Sequence, residues 1–236
     1  MADGVHRHKD FSYTILRIGH ENIPIIVVDH VLGNFEDLIA YAKAQPAFTA
    51  RRAGYPGICG TVPKSYFQSI NTLILPIVVD VYRQSQGRVA FDEADFSVVA
   101  TSPDDLAERQ RIPHKDGTDP IELAMIHYLC DDSFGGTSFY RHRRTGYEYI
   151  DASRAKIFDQ ELNRELQAVG LPHPSGYMNG NSALFERTHA CTAKLNRAVI
   201  YPCPILHSGD ISNDYLRGDE PGLGRLTITG FFSRHR

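Results

Sequence analysis

The sequence predicts a mainly β protein with flanking helices. Six short runs of strand-forming residues follow one another from about residue 95, and Gly, Pro, Asn and Asp separate several of them. This pattern is typical of a β-sandwich or a β-barrel. The runs are DFSVVAT (95–101), IELAMIHYLC (121–130), GTSFYRH (136–142), SALFERTH (182–189), RAVIYPC (197–203) and RLTITGFF (225–232).

The chain before residue 95 mixes helix and strand, which indicates an α/β support in front of the β core. YTILRIG and IPIIVVDHVL are rich in strand-forming residues. Asn34 is placed to cap a helix that ends at Pro46, and a second helix runs through residues 65–84 with a break at Pro76. Between the two helices, the glycines and prolines of residues 51–63 predict a loop. We expect a single domain over 1–236, with the support in 1–94 and the core in 95–236.

One helical insert interrupts the predicted core at residues 152–169. Its apolar residues recur at helical spacing, and the helix is expected to end at Gly170. Two roles remain open for the insert: a lid over a site, or a helix packed on the outside of a sheet. The apolar residues are Ile157, Phe158, Leu162 and Leu166.

Composition excludes several classes of function. The net charge is −3, so no broadly basic surface favours nucleic acid or anionic membranes as partners. No run of 18 apolar residues could span a bilayer, and the first ten residues lack the apolar stretch of a secretory signal. The four cysteines form no CxxC pair, which favours reduced thiols in a cytoplasmic protein.

The stretch RIPHKDGTDP (111–120) places His114 and Asp116 two residues apart, just before an apolar strand. A surface turn uses such residues too, but side chains two apart on extended backbone point to one side and can hold one ion. His207 follows the strand RAVIYPC. Two imidazoles and one carboxylate form the facial ligand set of non-heme iron(II) oxygenases, and the absence of a thiolate ligand argues against structural zinc.

Arg225 begins the last predicted strand, and Thr227 shares its face. An arginine on an inward face is costly unless it meets an anion. A dicarboxylate cosubstrate would supply that anion to the bidentate guanidinium, and the hydroxyl of Thr227 would add a hydrogen bond.

With these residues in order, the chain resembles the iron(II)- and 2-oxoglutarate-dependent dioxygenases, in their prolyl-hydroxylase-like branch. The resemblance covers roughly residues 95–234 and runs through PHKD, IHYL, GGTSFY, NRAVIYPCPILHSG and GRLTITGFF. It implies a double-stranded β-helix, a jelly-roll core similar to that of cupins. It also implies O2 as the second cosubstrate. His114, Asp116 and His207 would hold Fe(II), while Arg225, Tyr128 and Thr227 would bind 2-oxoglutarate.

The resemblance favours an enzyme whose catalytic residues are the metal ligands themselves. Because Asp116 is present, hydroxylation or desaturation is expected rather than halogenation. The expected substrate is a small molecule, such as an amino acid or a natural-product intermediate. A protein or peptide side chain is the alternative substrate, and a jelly-roll binding protein without activity is the alternative function. An anionic substrate would suit Arg141 and Arg143 at the mouth of the barrel, although a solvated strand end would carry the same arginines.

Overall fold

The computed structural model describes residues 5–46, 48–50, 54–84, 89–170, 176–212 and 224–234. In these ranges the chain forms ten strands and four α-helices, with short 3-10 turns at Pro103–Asp105, Glu108–Arg111 and Asp132–Phe134. The strands are β1 (Ser12–Ile18), β2 (Ile23–Asp29), β3 (Gly57–Thr61), β4 (Val89–Val99), β5 (Leu123–Tyr128), β6 (Gly136–His142), β7 (Phe185–Thr192), β8 (Arg197–Pro202), β9 (His207–Asp210) and β10 (Leu226–Arg234). The helices are α1 (Phe35–Lys43), α2 (Lys64–Leu73), α3 (Leu75–Val81) and α4 (Ala152–Val169).

The strands form two antiparallel sheets. The large sheet has the order β1-β2-β8-β5-β10-β4-β3, and the small sheet has the order β7-β6-β9. The predicted mainly β class with flanking helices is therefore confirmed. The first third of the chain contributes β1, β2 and β3 to the same sheet as β4, β5, β8 and β10. The support and the core therefore share one hydrogen-bonded sheet.

Strand β5 shows how the large sheet is buried on both faces. Leu123 and Met125 point into a cluster covered by α1, α2 and α3. Alternate residues Ala124, Ile126 and Tyr128 point the other way, toward the small sheet. A strand with two buried faces must be apolar at nearly every position, which is why IELAMIHYLC carries no simple alternation.

Three local predictions need correction. Residues 57–61, expected in a loop, form β3, since Gly57 approaches β4 so closely that a Cβ would lie 2.0 Å from the carbonyl oxygen of Val98. The strand around DFSVVAT starts earlier, at Val89. Asn34 stands at the start of α1 but does not cap it, because its Nδ2 donates to Asp37. The break at Pro76 is confirmed, since α3 begins one residue before it.

The insert helix has the predicted bounds. Asp151 caps its first turn by accepting hydrogen bonds from the amides of Ser153 and Arg154, at 2.9 and 3.1 Å. The chain then leaves the helix at Gly170, whose φ of +74° favours glycine. Within the described ranges, no helix is long and apolar enough to cross a membrane.

A buried polar network ties the large sheet to α2. His127 is fully buried, with Tyr66 Oη 3.1 Å from its Nδ1 and Asn196 Oδ1 3.1 Å from its Nε2. The amide of Asn196 is oriented by Leu32, whose N–H donates to Oδ1 and whose carbonyl accepts from Nδ2. Because Oδ1 can only accept, Nε2 carries the proton of His127 and Nδ1 accepts from Tyr66.

This network predicts a loss of stability in acid. Burial lowers the pKa of His127 to about 4 from an ordinary value of 6.5, so the unfolded chain binds the proton first. The stability that depends on neutral His127 is therefore fully present above pH 6.5 and is lost as the pH falls toward 4. We expect this residue to account for about 2 kcal/mol of the loss between pH 8 and pH 5. Urea unfolding of wild type and His127→Gln at both pH values measures it.

His127→Gln should be less stable at pH 8 but should show a smaller further loss at pH 5. His20→Gln, at an exposed position of the β1–β2 turn, is the matched control and should keep the wild-type loss. Equal losses in wild type and His127→Gln would contradict the assignment.

Candidate metal centre

The segment that carries His114 and Asp116 lies beside β9, at the edge of the small sheet. The backbone N–H and carbonyl of His114 pair with those of His207, each at 2.9 Å. The N–H of Asp116 donates to the carbonyl of Cys203 at 2.9 Å. The segment is thus extended, as expected, and the side chains of His114 and Asp116 point to the same side.

Three donor groups meet at this edge. The ligand atoms of His114, Asp116 and His207 all lie within 4.8 Å of one another. Asp116 Oδ1 is 3.6 Å from His114 Nε2, and Asp116 Oδ2 is 3.5 Å from His207 Nε2. Metal–ligand bonds of about 2.0–2.2 Å put neighbouring ligands roughly 3–3.5 Å apart, so the spacing fits one ion.

The tautomer of His207 suits metal binding. Its Nδ1 lies 3.0 Å from the carbonyl oxygen of Ile205, which can only accept, so Nδ1 carries the proton. Nε2 therefore presents its lone pair toward Asp116, as in metal sites where a carbonyl orients the ligating imidazole. Desolvation and the adjacent His207 lower the pKa of His114, which favours the neutral imidazole that a metal ion requires.

The three residues predicted to bind the cosubstrate share the inner face of the large sheet. Thr227 pairs with Tyr128 on one side and with Ser97 on the other. Arg225 precedes β10 and is only 3% exposed. Its Nη2 donates to the carbonyl of Gly136 at 2.7 Å, and its guanidinium carbon lies 5.6 Å from the centre of the Tyr128 ring.

Both hydroxyl groups of this set have protein partners. Tyr128 Oη lies 2.6 Å from Thr137 Oγ1, and Thr227 donates to the carbonyl of Ser97 at 3.3 Å. Thr227 would have to exchange this bond before it could donate to a carboxylate, while the guanidinium of Arg225 has several further N–H groups. The structure brings the set together, and its binding role stays a prediction.

Two tyrosines near the predicted site residues, Tyr201 and Tyr55, were not singled out from the sequence. Tyr201 on β8 is buried beside the His–Asp–His cluster, with its ring centre 4.7 Å from that of His207. Burial and the charge of Asp116 raise the pKa of Tyr201, while the charge of Arg225 lowers it. Burial likewise raises the pKa of Tyr55, again opposed by Arg225. Tyr201 lies two residues after Val199 in RAVIYPC, so both side chains point to the same face of the strand. That alternation is the signal that could have identified Tyr201.

Arg141 and Arg143 lie where β6 turns toward the insert. Arg141 Nε donates to the carbonyl of Gly146 at 3.2 Å. Arg143 is more exposed and contacts β7, with Nε donating to the carbonyl of Ser182 at 3.0 Å and Nη1 3.9 Å from Glu186. These contacts hold both side chains at the end of the strand, and contact with a substrate stays a prediction.

Helix α4 packs on the outside of the small sheet. Phe158 and Leu162 join one buried cluster with Tyr140 of β6 and Phe185 of β7. Phe139 pairs with His207, and Tyr140 is the next residue along the strand, so its side chain points to the other face. The helix therefore covers the face of the small sheet opposite His207. Of the two roles considered for the insert, the structure supports the packed helix over the lid.

Fold and site together define a class of protein: a mainly β protein with a His–Asp–His cluster at the edge of its small sheet. The chain belongs to a family of unknown function, DUF6445, whose model matches residues 9–232. No curated protein matches the sequence.

Three solved structures are similar to this chain. The first is SnoK, a non-heme α-ketoglutarate-dependent carbocyclase from nogalamycin biosynthesis, with 10% identity, a TM-score of 0.48, and coverage of 90% of this chain and 80% of that chain. The epimerase SnoN from the same biosynthesis has 14% identity, a TM-score of 0.43, and coverage of 90% and 78%. An N-substituted L-amino acid dioxygenase from Burkholderia ambifaria, in complex with α-ketoglutarate, has 12% identity, a TM-score of 0.43, and coverage of 96% and 98%.

Proposed function

We propose that this protein is an Fe(II)- and 2-oxoglutarate-dependent oxygenase of the prolyl-hydroxylase-like branch. The observation that carries the proposal is the meeting of His114, Asp116 and His207 within 4.8 Å of one another. Two imidazoles and a carboxylate on one side of an ion match the ligand set of non-heme iron oxygenases.

The proposed fold is the double-stranded β-helix. Between β4 and β10 the chain alternates between the sheets: β4, β5, β8 and β10 lie in the large sheet, whereas β6, β7 and β9 lie in the small one. The His114 bridge extends the small sheet beyond β9. This order supports a jelly roll, in which two four-stranded sheets enclose the site.

In this proposal iron and 2-oxoglutarate, when bound, would supply oxidising power from O2 for the removal of hydrogen from the substrate. The side chains supply position. The buried guanidinium of Arg225 holds the distal carboxylate, while Phe139 and Tyr201, whose rings meet edge to face at 5.2 Å, form a wall that excludes water near His207. Asp116 fills the third protein ligand position, which favours hydroxylation or desaturation over halogenation.

We propose a small molecule as the substrate, such as an amino acid or a natural-product intermediate. The alternative, a protein or peptide side chain, draws support from one observation. The side chain of His114 is 54% exposed, so the ligand cluster is open to solvent on that side. Succinate release in the presence of free amino acids or of peptides separates the two substrate classes.

The cofactor assignment is tested by anaerobic titration. We expect protein loaded with Fe(II) to develop a visible charge-transfer band as 2-oxoglutarate is added, because a keto acid chelated to Fe(II) absorbs there. Succinate should develop no band, since it lacks the keto group. Folded protein that binds Fe(II) but gives no band at millimolar 2-oxoglutarate would overturn the proposal and leave the metal-holding jelly-roll protein as the better account.

A further inference from the structure

Lys115 lies between His114 and Asp116, the two proposed metal ligands of residues 114–116, and points away from both. These three residues are called the HKD segment. On extended backbone, successive side chains alternate, so Lys115 faces the side opposite His114 and Asp116. Its side chain is only 18% exposed. Lysine is normally solvated, which makes this degree of burial beside a metal site a feature that needs an explanation.

Helix α4 provides both partners of this lysine. Its Nζ lies 3.3 Å from Asp159 Oδ1 and 5.2 Å from the centre of the Phe158 ring. Phe158 is itself buried in the cluster that fixes α4 to the small sheet. The ammonium group of Lys115 is thus held both by the face of the ring and by the carboxylate.

The helix that provides these partners is itself anchored to the core. Glu165 Oε2 lies 2.8 Å from Nε2 of the fully buried His142. Nearer its start, Arg154 pairs with Glu21 of the β1–β2 turn at 2.8 Å. A side chain attached to α4 is therefore attached to a rigid element.

The HKD segment has few backbone bonds to fix it. His114 forms an isolated bridge to His207 rather than part of a continuous ladder, and the N–H of Asp116 makes a single bond to Cys203. We propose that Lys115 is a positioning residue, which ties this segment to α4 and so sets the relative positions of His114 and Asp116. The proposal rests on the metal site proposed above and gives the insert helix a role: it supports the ligand segment from outside the sheet.

Co(II) titration tests the proposal, because Co(II) replaces Fe(II) in such sites and its visible spectrum reports ligand geometry. We expect Lys115→Met to raise the Kd for Co(II) about three- to tenfold, the effect of an ion pair and a cation–π contact together. The spectrum at saturation should change as well. Lys115→Arg should restore both values, whereas the charge exchange Lys115→Glu with Asp159→Lys should restore them only in part, because it rebuilds the ion pair but loses the cation–π contact with Phe158. Lys156→Met is the matched control. Lys156 is an exposed lysine of α4, so this variant should behave as wild type.

Hydrogen exchange provides a second, metal-free measurement. The amides of His114 and Asp116 donate to His207 and Cys203, so Lys115→Met should speed their exchange about threefold or more in the apo-protein, without a matching change in the amides of β5. Wild-type Kd, spectrum and exchange rates in Lys115→Met would overturn the positioning role.

The two proposals fail in different ways. Wild type that binds Co(II) but gives no 2-oxoglutarate band with Fe(II) contradicts the oxygenase alone, and Lys115 is still judged by Co(II) affinity. Wild type that binds no Co(II) overturns both proposals.

Discussion

In His207→Ala, we expect the affinity for Fe(II) or Co(II) to fall by more than about 100-fold, because groups that merely orient a ligand already contribute 10- to 100-fold. The variant removes one of three protein ligands. It also removes the imidazole whose Nδ1 is fixed by the carbonyl of Ile205 and whose Nε2 lies 3.5 Å from Asp116. Anaerobic titration with Co(II), followed by visible absorption, measures the loss.

His207 also packs on Tyr201, so truncation to alanine leaves a cavity. His207→Gln keeps more of the volume and should lose affinity by a similar factor with a smaller change in Tm. His189→Ala is the matched control. His189 pairs with Phe139 on the same face of the small sheet as His207, but on β7, with β6 between it and β9. Equal losses in the His189 and His207 variants would indicate general disruption rather than the removal of a ligand.

The candidate metal ligands could be predicted because the pattern that brings two of them together is local. The two-residue spacing of His114 and Asp116 determines that both side chains point one way on extended backbone, and backbone bonds to β9 keep the segment extended. His207 was added to this pair because it follows the strand RAVIYPC, in the order of motifs that the resemblance implies. The structure brings the three residues together.

The elements that escaped prediction depend on distant partners. Strand β3 contains two glycines and looks like a turn, but Gly57 and Gly60 allow close packing against Val98 and Phe48, which no local pattern reveals. Strand β9 has four residues, His207–Asp210, and gains its bonds from β6. Such short strands have little propensity of their own, because cross-strand contacts decide their conformation.

The sequence also left the position of α4 open. Its apolar stripe predicted a helix with one buried face, as found for Phe158 and Leu162. Ile157, placed on the same stripe, is instead 49% exposed. Which sheet that face covers depends on the apolar outer face of the small sheet, where Tyr140 and Phe185 lie. The contacts of Lys115 depend on the same packing, because both of its partners, Phe158 and Asp159, lie on that helix.

Arg225→Ala should weaken 2-oxoglutarate binding by about 100-fold or more, while Fe(II) affinity stays within about twofold of wild type. Truncating one member of a buried, hydrogen-bonded charge pair costs about 2–5 kcal/mol, and the guanidinium of Arg225 is only 3% exposed. Tyr128 and Thr227 cannot compensate, because both are neutral and their hydroxyls already contact Thr137 and Ser97. The charge-transfer titration of the Fe(II)-loaded protein measures this affinity.

Arg225→Lys separates charge from geometry. A lysine keeps the positive charge but cannot form two parallel bonds to a carboxylate, so its 2-oxoglutarate affinity should lie between those of wild type and Arg225→Ala. Arg197→Met is the matched control. Arg197 forms two bonds with Asp29, at 2.8 and 3.0 Å, which join β8 to β2. That variant should lose stability yet keep 2-oxoglutarate affinity. If Arg225→Ala instead retained the wild-type affinity, the distal carboxylate would have to be held elsewhere, and the burial of Arg225 would be explained by its bond to the carbonyl of Gly136.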